Sequence, residues 1–258
     1  MEASTENREP RTENRRSFAF FDLDHTLLPF DTQALFCNFV LKRERSRTLQ
    51  HVIFVPFALL KACKLISSVT AKRAFMNYLA GIRRETLQAY AKEFAEQCVK
   101  PAVYPELLAI IEEHRKTGRV LILNTASPDF YAHDIARVLG FDHCIATRVE
   151  VPEMMPFMPR VIGENNKHEA KIARMKADIP EVTYASAEAL RDSWSYSDSA
   201  ADLPLLEFAG NAVLVHPNAS LAAIGKERGW QIITPKRPYA NKVGDMLCVL
   251  RQSLGLWS

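Results

Sequence analysis

The chain has 258 residues, 48% apolar and 24% charged, an ordinary globular composition with room for one large domain or a core with an insert. A formal net charge of +3 is too small to argue for a nucleic-acid partner. The five cysteines, Cys37, Cys63, Cys98, Cys144 and Cys248, are scattered with no C-x-x-C, which excludes a disulfide framework or a cysteine zinc site and points to a reducing cytoplasm.

Residues 1–16 hold four Glu and four Arg without an apolar cluster and are expected to form a disordered arm. The run Phe18-Ala-Phe-Phe-Asp22-Leu-Asp24 follows, read as a buried strand over 18–24. Alternation along a strand puts Asp22 and Asp24 on the same side, and two carboxylates so close call for a cation or a shared proton. Strand ends in parallel α/β sheets are also where ligands bind.

From Asp31-Thr32, either of which can cap the first helix, to about Lys100 the pattern is helical, with candidate helices over 33–44, 49–66, 70–80 and 85–99. Residues 31–100 therefore read as an all-helical insert, leaving 17–30 and 101–258 as the core. The apolar run Val52–Leu60 is too short to span a bilayer, which needs ~20 apolar residues. Its simplest role is packing within the insert; with Lys61, Lys64 and Lys72 nearby, peripheral contact with an anionic membrane is the alternative.

Beyond the insert, helices and strands alternate. Tyr104–Lys116 reads as a helix ended by Gly118, Arg119–Asn124 as a buried strand, and 128–139 as a helix ended by Gly140. A helix over 167–177, a strand over Trp194–Ser197 and a helix over Leu203–Ala209 come next. Then come a strand over Ala212–Val215, a helix over Leu221–Arg228, a strand over Trp230–Ile233 and a last helix over Val243–Trp257. This alternation predicts a parallel sheet covered on both faces.

Four polar clusters fall just after strands or at helix starts: Asp22-x-Asp24-x-Thr26, Thr125-Ala-Ser127-Pro128, Lys167 with Lys171, and Ser197-Asp198-Ser199-Ala-Ala-Asp202. Carboxylates suit Mg²⁺, a hydroxyl with backbone N–H groups at a helix start suits phosphate, and a lysine adds charge against phosphoryl oxygens. One carboxylate can attack while another moves a proton. The set points to phosphoryl transfer through an aspartyl-phosphate.

In this order the clusters resemble the four motifs of the haloacid dehalogenase (HAD) superfamily, and the insert resembles the C1-type helical cap of its phosphoserine-phosphatase-like branch, subfamily IB. The resemblance implies a Rossmann-like parallel sheet with a cap inserted after the first strand. It implies Asp22 as nucleophile and Mg²⁺ ligand, and Asp24 as acid–base with its backbone carbonyl on the metal. Thr125 would bind the phosphoryl group, Asp198 would complete the metal site, and Asp202 would orient it or a bound water. The phosphate-binding lysine is Lys171, whose apolar spacing fits better, or Lys167, which follows Gly163 more closely. Asp31, nine residues after Asp22, is where an acidic residue contacts the substrate amine in phosphoserine phosphatases.

The expected function is Mg²⁺-dependent hydrolysis of a small phosphomonoester, phosphoserine- or histidinol-phosphate-like. One alternative is a lipid phosphate such as phosphatidylglycerophosphate, met at the inner face of a membrane. The other is a non-catalytic scaffold binding a phosphorylated ligand.

Overall fold

The computed structural model describes residues 16–257, so the expected arm at 1–16 lies almost entirely outside the described residues. The sheet is built on β1 (Phe18–Phe21), whose four residues are fully buried. β1 is flanked in parallel by β2 (Val120–Pro128) and β4 (Trp194–Ser197), in the register Phe18↔Val120 and Ala19↔Trp194. With β3 (His143–Thr147), β5 (Asn211–Val215) and β6 (Gln231–Ile233) the order is β3-β2-β1-β4-β5-β6, all parallel. Side-chain alternation divides the core. Phe18 and Phe20 pack with Ile122, Met175 and Leu205 on one face, whereas Ala19 and Phe21 pack with Leu121, Leu123 and Tyr196 on the other.

Every element between β1 and β2 is helical. α1 (Thr32–Arg43) starts at Asp31, whose Oδ1 accepts from the backbone N–H of Gln33 and Ala34. α2 (Thr48–Ala62), α3 (Ser68–Phe75) and α4 (Arg84–Phe94) follow, with a 3₁₀ turn over Met76–Leu79. The expected helix over 49–66 is shorter, because a turn through Lys64, at φ 60°, separates α2 from α3. The apolar run of α2 is less buried than simple packing predicts: Phe54 meets Phe75, but Ile53, Val55, Leu59 and Leu60 are exposed.

α5 (Pro105–Lys116) and α6 (Asp129–Leu139) flank β2 in the chain. β3 was not anticipated: His143 and Thr147 bound only three less polar residues, too short a run for a pattern. After β3, residues 148–162 double back on themselves, with bridging of Val149 to Val161, and reach the helical insert. There Met155 N donates to Ile82 O, Gly81 N to Met155 O and Arg84 N to Glu153 O, at 2.8, 2.8 and 2.9 Å.

α7 (Glu169–Asp178) precedes two short helices the pattern did not reveal, α8 (Pro180–Thr183) and α9 (Ala187–Arg191). α10 (Leu203–Phe208), α11 (Ala219–Glu227) and α12 (Lys242–Ser253) complete the molecule, with α12 packed on α1. The C-terminal ends of β1, β2 and β4 thereby open onto one cleft beside the helical insert.

Candidate active site

β1 stops at Phe21, short of the expected strand end at 24, because the next residues turn their polar groups into the cleft. Asp22 N still donates to Tyr196 O, at 3.0 Å, which holds Asp22 at the sheet edge. Its carboxylate is buried, and Lys171 from α7 donates to Oδ1 at 2.6 Å. The same ammonium donates to Asp202 Oδ2 at 2.7 Å, which also accepts from Ser197 Oγ at 2.8 Å. A lysine only 1% exposed is tolerable because two carboxylates surround it. Burial alone lowers the Lys171 pKa, but Asp202 and Asp22 outweigh it and raise the value above that of a free lysine. Burial pushes Asp22 up to about 8 even though Lys171 pulls it down.

Thr26 links the first and fourth clusters. Its hydroxyl lies 3.3 Å from both Asp22 Oδ2 and Asp198 Oδ1, and accepts from Asp198 N at 3.0 Å. Burial raises Asp198 to about 6. Asp24 has a separate setting. Its Oδ1 accepts from Thr32 N at 2.7 Å and its Oδ2 from Ser127 Oγ at 2.6 Å. The two carboxylates of the D-x-D cluster thus have different partners, a lysine for one and neutral donors for the other.

Thr125 is fully buried within β2, which runs past the expected strand end at Asn124 to Pro128, and its Oγ1 accepts from Ser127 N at 3.0 Å. Lys167 lines the cleft, but no ion pair of it is found among the described residues. Asp31 lines the cleft while capping α1, with its Oδ2 uncommitted among the described residues. Burial raises its pKa, and Asp24 adds to the rise. The cleft encloses about 170 Å³ and is continuous through Asp24, Asp31 and Lys167 with a smaller recess at the insert.

Asp202, expected to orient the metal or a bound water, holds its Oδ2 against Lys171 and Ser197. Among the described residues no three acidic, His or Cys side chains converge on a metal position. The donors left are the carboxylates of Asp22 and Asp198 and the Asp24 carbonyl. That set fits Mg²⁺, which usually takes one or two carboxylates and keeps several waters.

Sequence reasoning missed three contributors. Ser127 sits within the second cluster, but nothing in the sequence showed that it would bind Asp24. Thr32 follows the helix cap and offers Asp24 a backbone N–H. Lys72 was read with Lys61 and Lys64 as part of a basic exterior. Instead its ammonium points inward from α3, donating to Ala126 O at 2.5 Å and Asn165 Oδ1 at 2.6 Å. Burial, reinforced by Lys167, lowers its pKa to about 8 against the pull of Asp31 and Asp24.

The haloacid dehalogenase-like hydrolase profile matches residues 19–207, which takes in all four clusters. A probable phosphatase of Mycobacterium tuberculosis is 28% identical over 86% of this chain and 77% of its own length. A histidinol-phosphatase of Neisseria meningitidis is 24% identical over 86% of this chain and 100% of its own. A crystal structure of a Bordetella pertussis protein of unknown function superposes with a TM-score of 0.71, at 28% identity over 84% of this chain and 98% of that one. With a family match over well over half its length, on a parallel sheet that gathers the four clusters at one edge, this chain belongs to the haloacid dehalogenase-like hydrolases.

Proposed function

We propose that this enzyme, a phosphoric monoester hydrolase of that family, is a Mg²⁺-dependent phosphatase that works through an aspartyl-phosphate at Asp22. The observation that carries the reading is the pairing of Asp22 with buried Lys171, while Asp24 is held apart by Thr32 and Ser127. Two nearby carboxylates in different environments can take different chemical roles.

Asp22, held beside an ammonium, attacks phosphorus through a carboxylate oxygen as the bond to the leaving oxygen breaks. Asp24 gives its proton to that oxygen, and the alcohol departs. Asp24 then takes a proton from water, whose oxygen attacks phosphorus, and Asp22 is released with inorganic phosphate. Lys171 offsets charge on the transferring oxygens, with Asp202 and Ser197 fixing its ammonium. Thr125 braces the irregular last residues of β2, Ala126 and Ser127, beside the phosphoryl position. Asp22, Asp198 and the Asp24 carbonyl would hold Mg²⁺, which supplies Lewis-acid polarisation of the phosphoryl oxygens.

The leaving group belongs to a small metabolite of the phosphoserine or histidinol-phosphate type. Asp31 with its free Oδ2 offers a partner for an amine, and Lys72 and Lys167 offer positive charge nearby. The similarity to a histidinol-phosphatase agrees with this class. The test is phosphate release from p-nitrophenyl phosphate, phosphoserine and histidinol phosphate with Mg²⁺. Asp22→Asn is expected to lower kcat by roughly 10³-fold or more, and EDTA to abolish turnover. Full activity in either case contradicts the reading.

One observation favours a second substrate reading, a phosphorylated lipid. Residues 45–84 carry eight Lys and Arg and no Asp or Glu, although Arg47, Lys72 and Arg73 are engaged with backbone carbonyls. Within this stretch Ile53, Val55, Leu59 and Leu65 are exposed, and Ser68 and Lys72 line the recess beside the cleft. No helix among the described residues is long and apolar enough to cross a membrane, so the contact would be peripheral. Co-sedimentation with phosphatidylglycerol vesicles, reduced by Leu59→Glu, is the outcome this reading expects. Unbound protein at low salt removes it.

A further inference from the structure

Beside the catalytic cleft lies a larger cavity of about 550 Å³, roofed by a part of the chain that the four motifs do not reach. It opens over the ends of β5 and β6, where His216 and Pro217 follow the first strand and Arg237 follows the second. The cavity and the cleft share His25, Asp198 and Ser199 as a common wall. A molecule whose phosphoryl group lies at Asp22 can therefore extend past His25 into the larger space.

The outer wall is the segment leading into α12, which lies beyond the family match at 19–207. It is tied to the catalytic loop. Tyr239 donates its hydroxyl to Pro29 O at 2.7 Å and lies 3.4 Å from His25 Nδ1. The Arg237 guanidinium lies 5.5 Å from the Tyr239 ring centroid, an arrangement that holds the cation at the wall. The same side chain reaches the Tyr104 hydroxyl, which steadies the guanidinium beneath the cavity. Lys242, exposed at the start of α12, adds a second cation on the same wall. The first turns of α11 and α12 begin here as well and contribute partial positive charge. Asp245 is the opposing charge on this wall, and Asp198 faces Thr26 and the catalytic cleft.

We infer that this cavity is a second oxyanion subsite, in which Arg237 and Lys242 bind a carboxylate or phosphate carried by the leaving group of the substrate. The inference rests on the phosphatase reading for the position of the monoester. Beside the amine contact offered by Asp31, it adds a preference for phosphomonoesters with a second negative group several bonds from the reacting phosphorus, and so favours the phosphoserine type over the histidinol-phosphate type. This part of the selectivity comes from a C-terminal segment rather than from the helical insert.

Binding measured without turnover separates this inference from the catalytic one. The full chain carrying Asp22→Asn is titrated calorimetrically in Mg²⁺ with two matched pairs, glycerol 3-phosphate against 3-phosphoglycerate and glucose 6-phosphate against 6-phosphogluconate. In at least one pair the carboxylate-bearing member is expected to bind roughly tenfold more tightly. Adding Arg237→Gln or Lys242→Gln is expected to cut that ratio to about threefold or less. Lys242 is exposed, so its variant tests the subsite even if the Arg237 variant folds poorly. Equal affinities within both pairs, absent binding included, or a ratio unchanged by Lys242→Gln, overturn the inference. Loss of hydrolysis by the wild type, with the affinity ratio intact, would count against the phosphatase reading and leave the subsite standing.

Discussion

Lys171 and His114 show two opposite ways in which burial acts on a titratable residue. Lys171 keeps its charge because Asp22 and Asp202 lie at 2.6 and 2.7 Å. Among the described residues no carboxylate pairs with His114; its Nε2 meets the Tyr196 hydroxyl at 2.7 Å, and burial lowers its pKa to about 4, with Arg119 adding to the fall. The folded state therefore favours the neutral ring, whereas the unfolded chain takes up a proton near pH 6.5. Stability from this residue is complete above about pH 6.5 and is lost as pH falls towards 4, because the unfolded state then binds more protons. The drop amounts to about 3 kcal/mol. Urea unfolding at pH 7 and pH 4.5 checks this: His114→Gln should flatten part of the acid slope, and an unchanged slope would contradict it. In the sequence His114 was one more residue of an amphipathic helix, since its buried setting depends on Tyr196, which is far away in the chain. By contrast Asp22, Asp24 and Asp198 were legible because their spacing and their positions after apolar runs are local properties. The choice between Lys171 and Lys167 was open because the sequence does not mark where the helix starts; α7 begins at Glu169, which puts Lys171 on the helix against Asp22 and leaves Lys167 before it, along the cleft wall.

At the scale of elements, the helical insert and the loop over 148–162 hold each other. Arg73 from α3 donates to Met158 O and Pro159 O, at 2.9 and 3.0 Å, and Met158 N donates to Asn77 Oδ1 at 2.6 Å. The backbone pairing of Ile82 with Met155 continues the contact. The Arg73 charge is spent on these carbonyls. Arg73→Ala should weaken this seam by about 1.5–3 kcal/mol, the usual worth of hydrogen bonds to a charged group. Hydrogen exchange at the amides of Gly81 and Met155 is then expected to accelerate more than exchange in β1. Uniform protection in the variant and the wild type would show that the seam does not depend on Arg73. The strands β1, β2, β4, β5 and β6 were legible from apolar runs ended by polar or turn residues. β3, α8 and α9 were not, because their four or five residues show neither a continuous apolar run nor a helical period. The seam itself has no sequence signature, since it is made largely from backbone groups.

Across the whole molecule, the sheet order decides which residues meet. β1 lies between β2 and β4, so the first, second and fourth clusters converge, and α7 delivers the lysine from one side. β5 and β6 carry the larger cavity next to that convergence, and α12 closes it while packing on α1. Chemistry and selectivity are therefore spread along one edge of the sheet, with the helical insert at one end and the C-terminal segment at the other. The first was readable from motif order; the second was not, because Arg237, Tyr239 and Lys242 form no recognisable pattern until the fold sets them beside His25. The central claim, covalent catalysis at Asp22, is tested most directly by quenching the enzyme in acid during turnover of a ³²P-labelled monoester with Mg²⁺, reducing with borohydride and mapping the modified peptide. The account predicts an acid-stable, hydroxylamine-labile phosphoenzyme, reduction at Asp22, and neither signal in Asp22→Asn. Steady turnover by Asp22→Asn at the wild-type rate, or modification mapped to another residue, would contradict it.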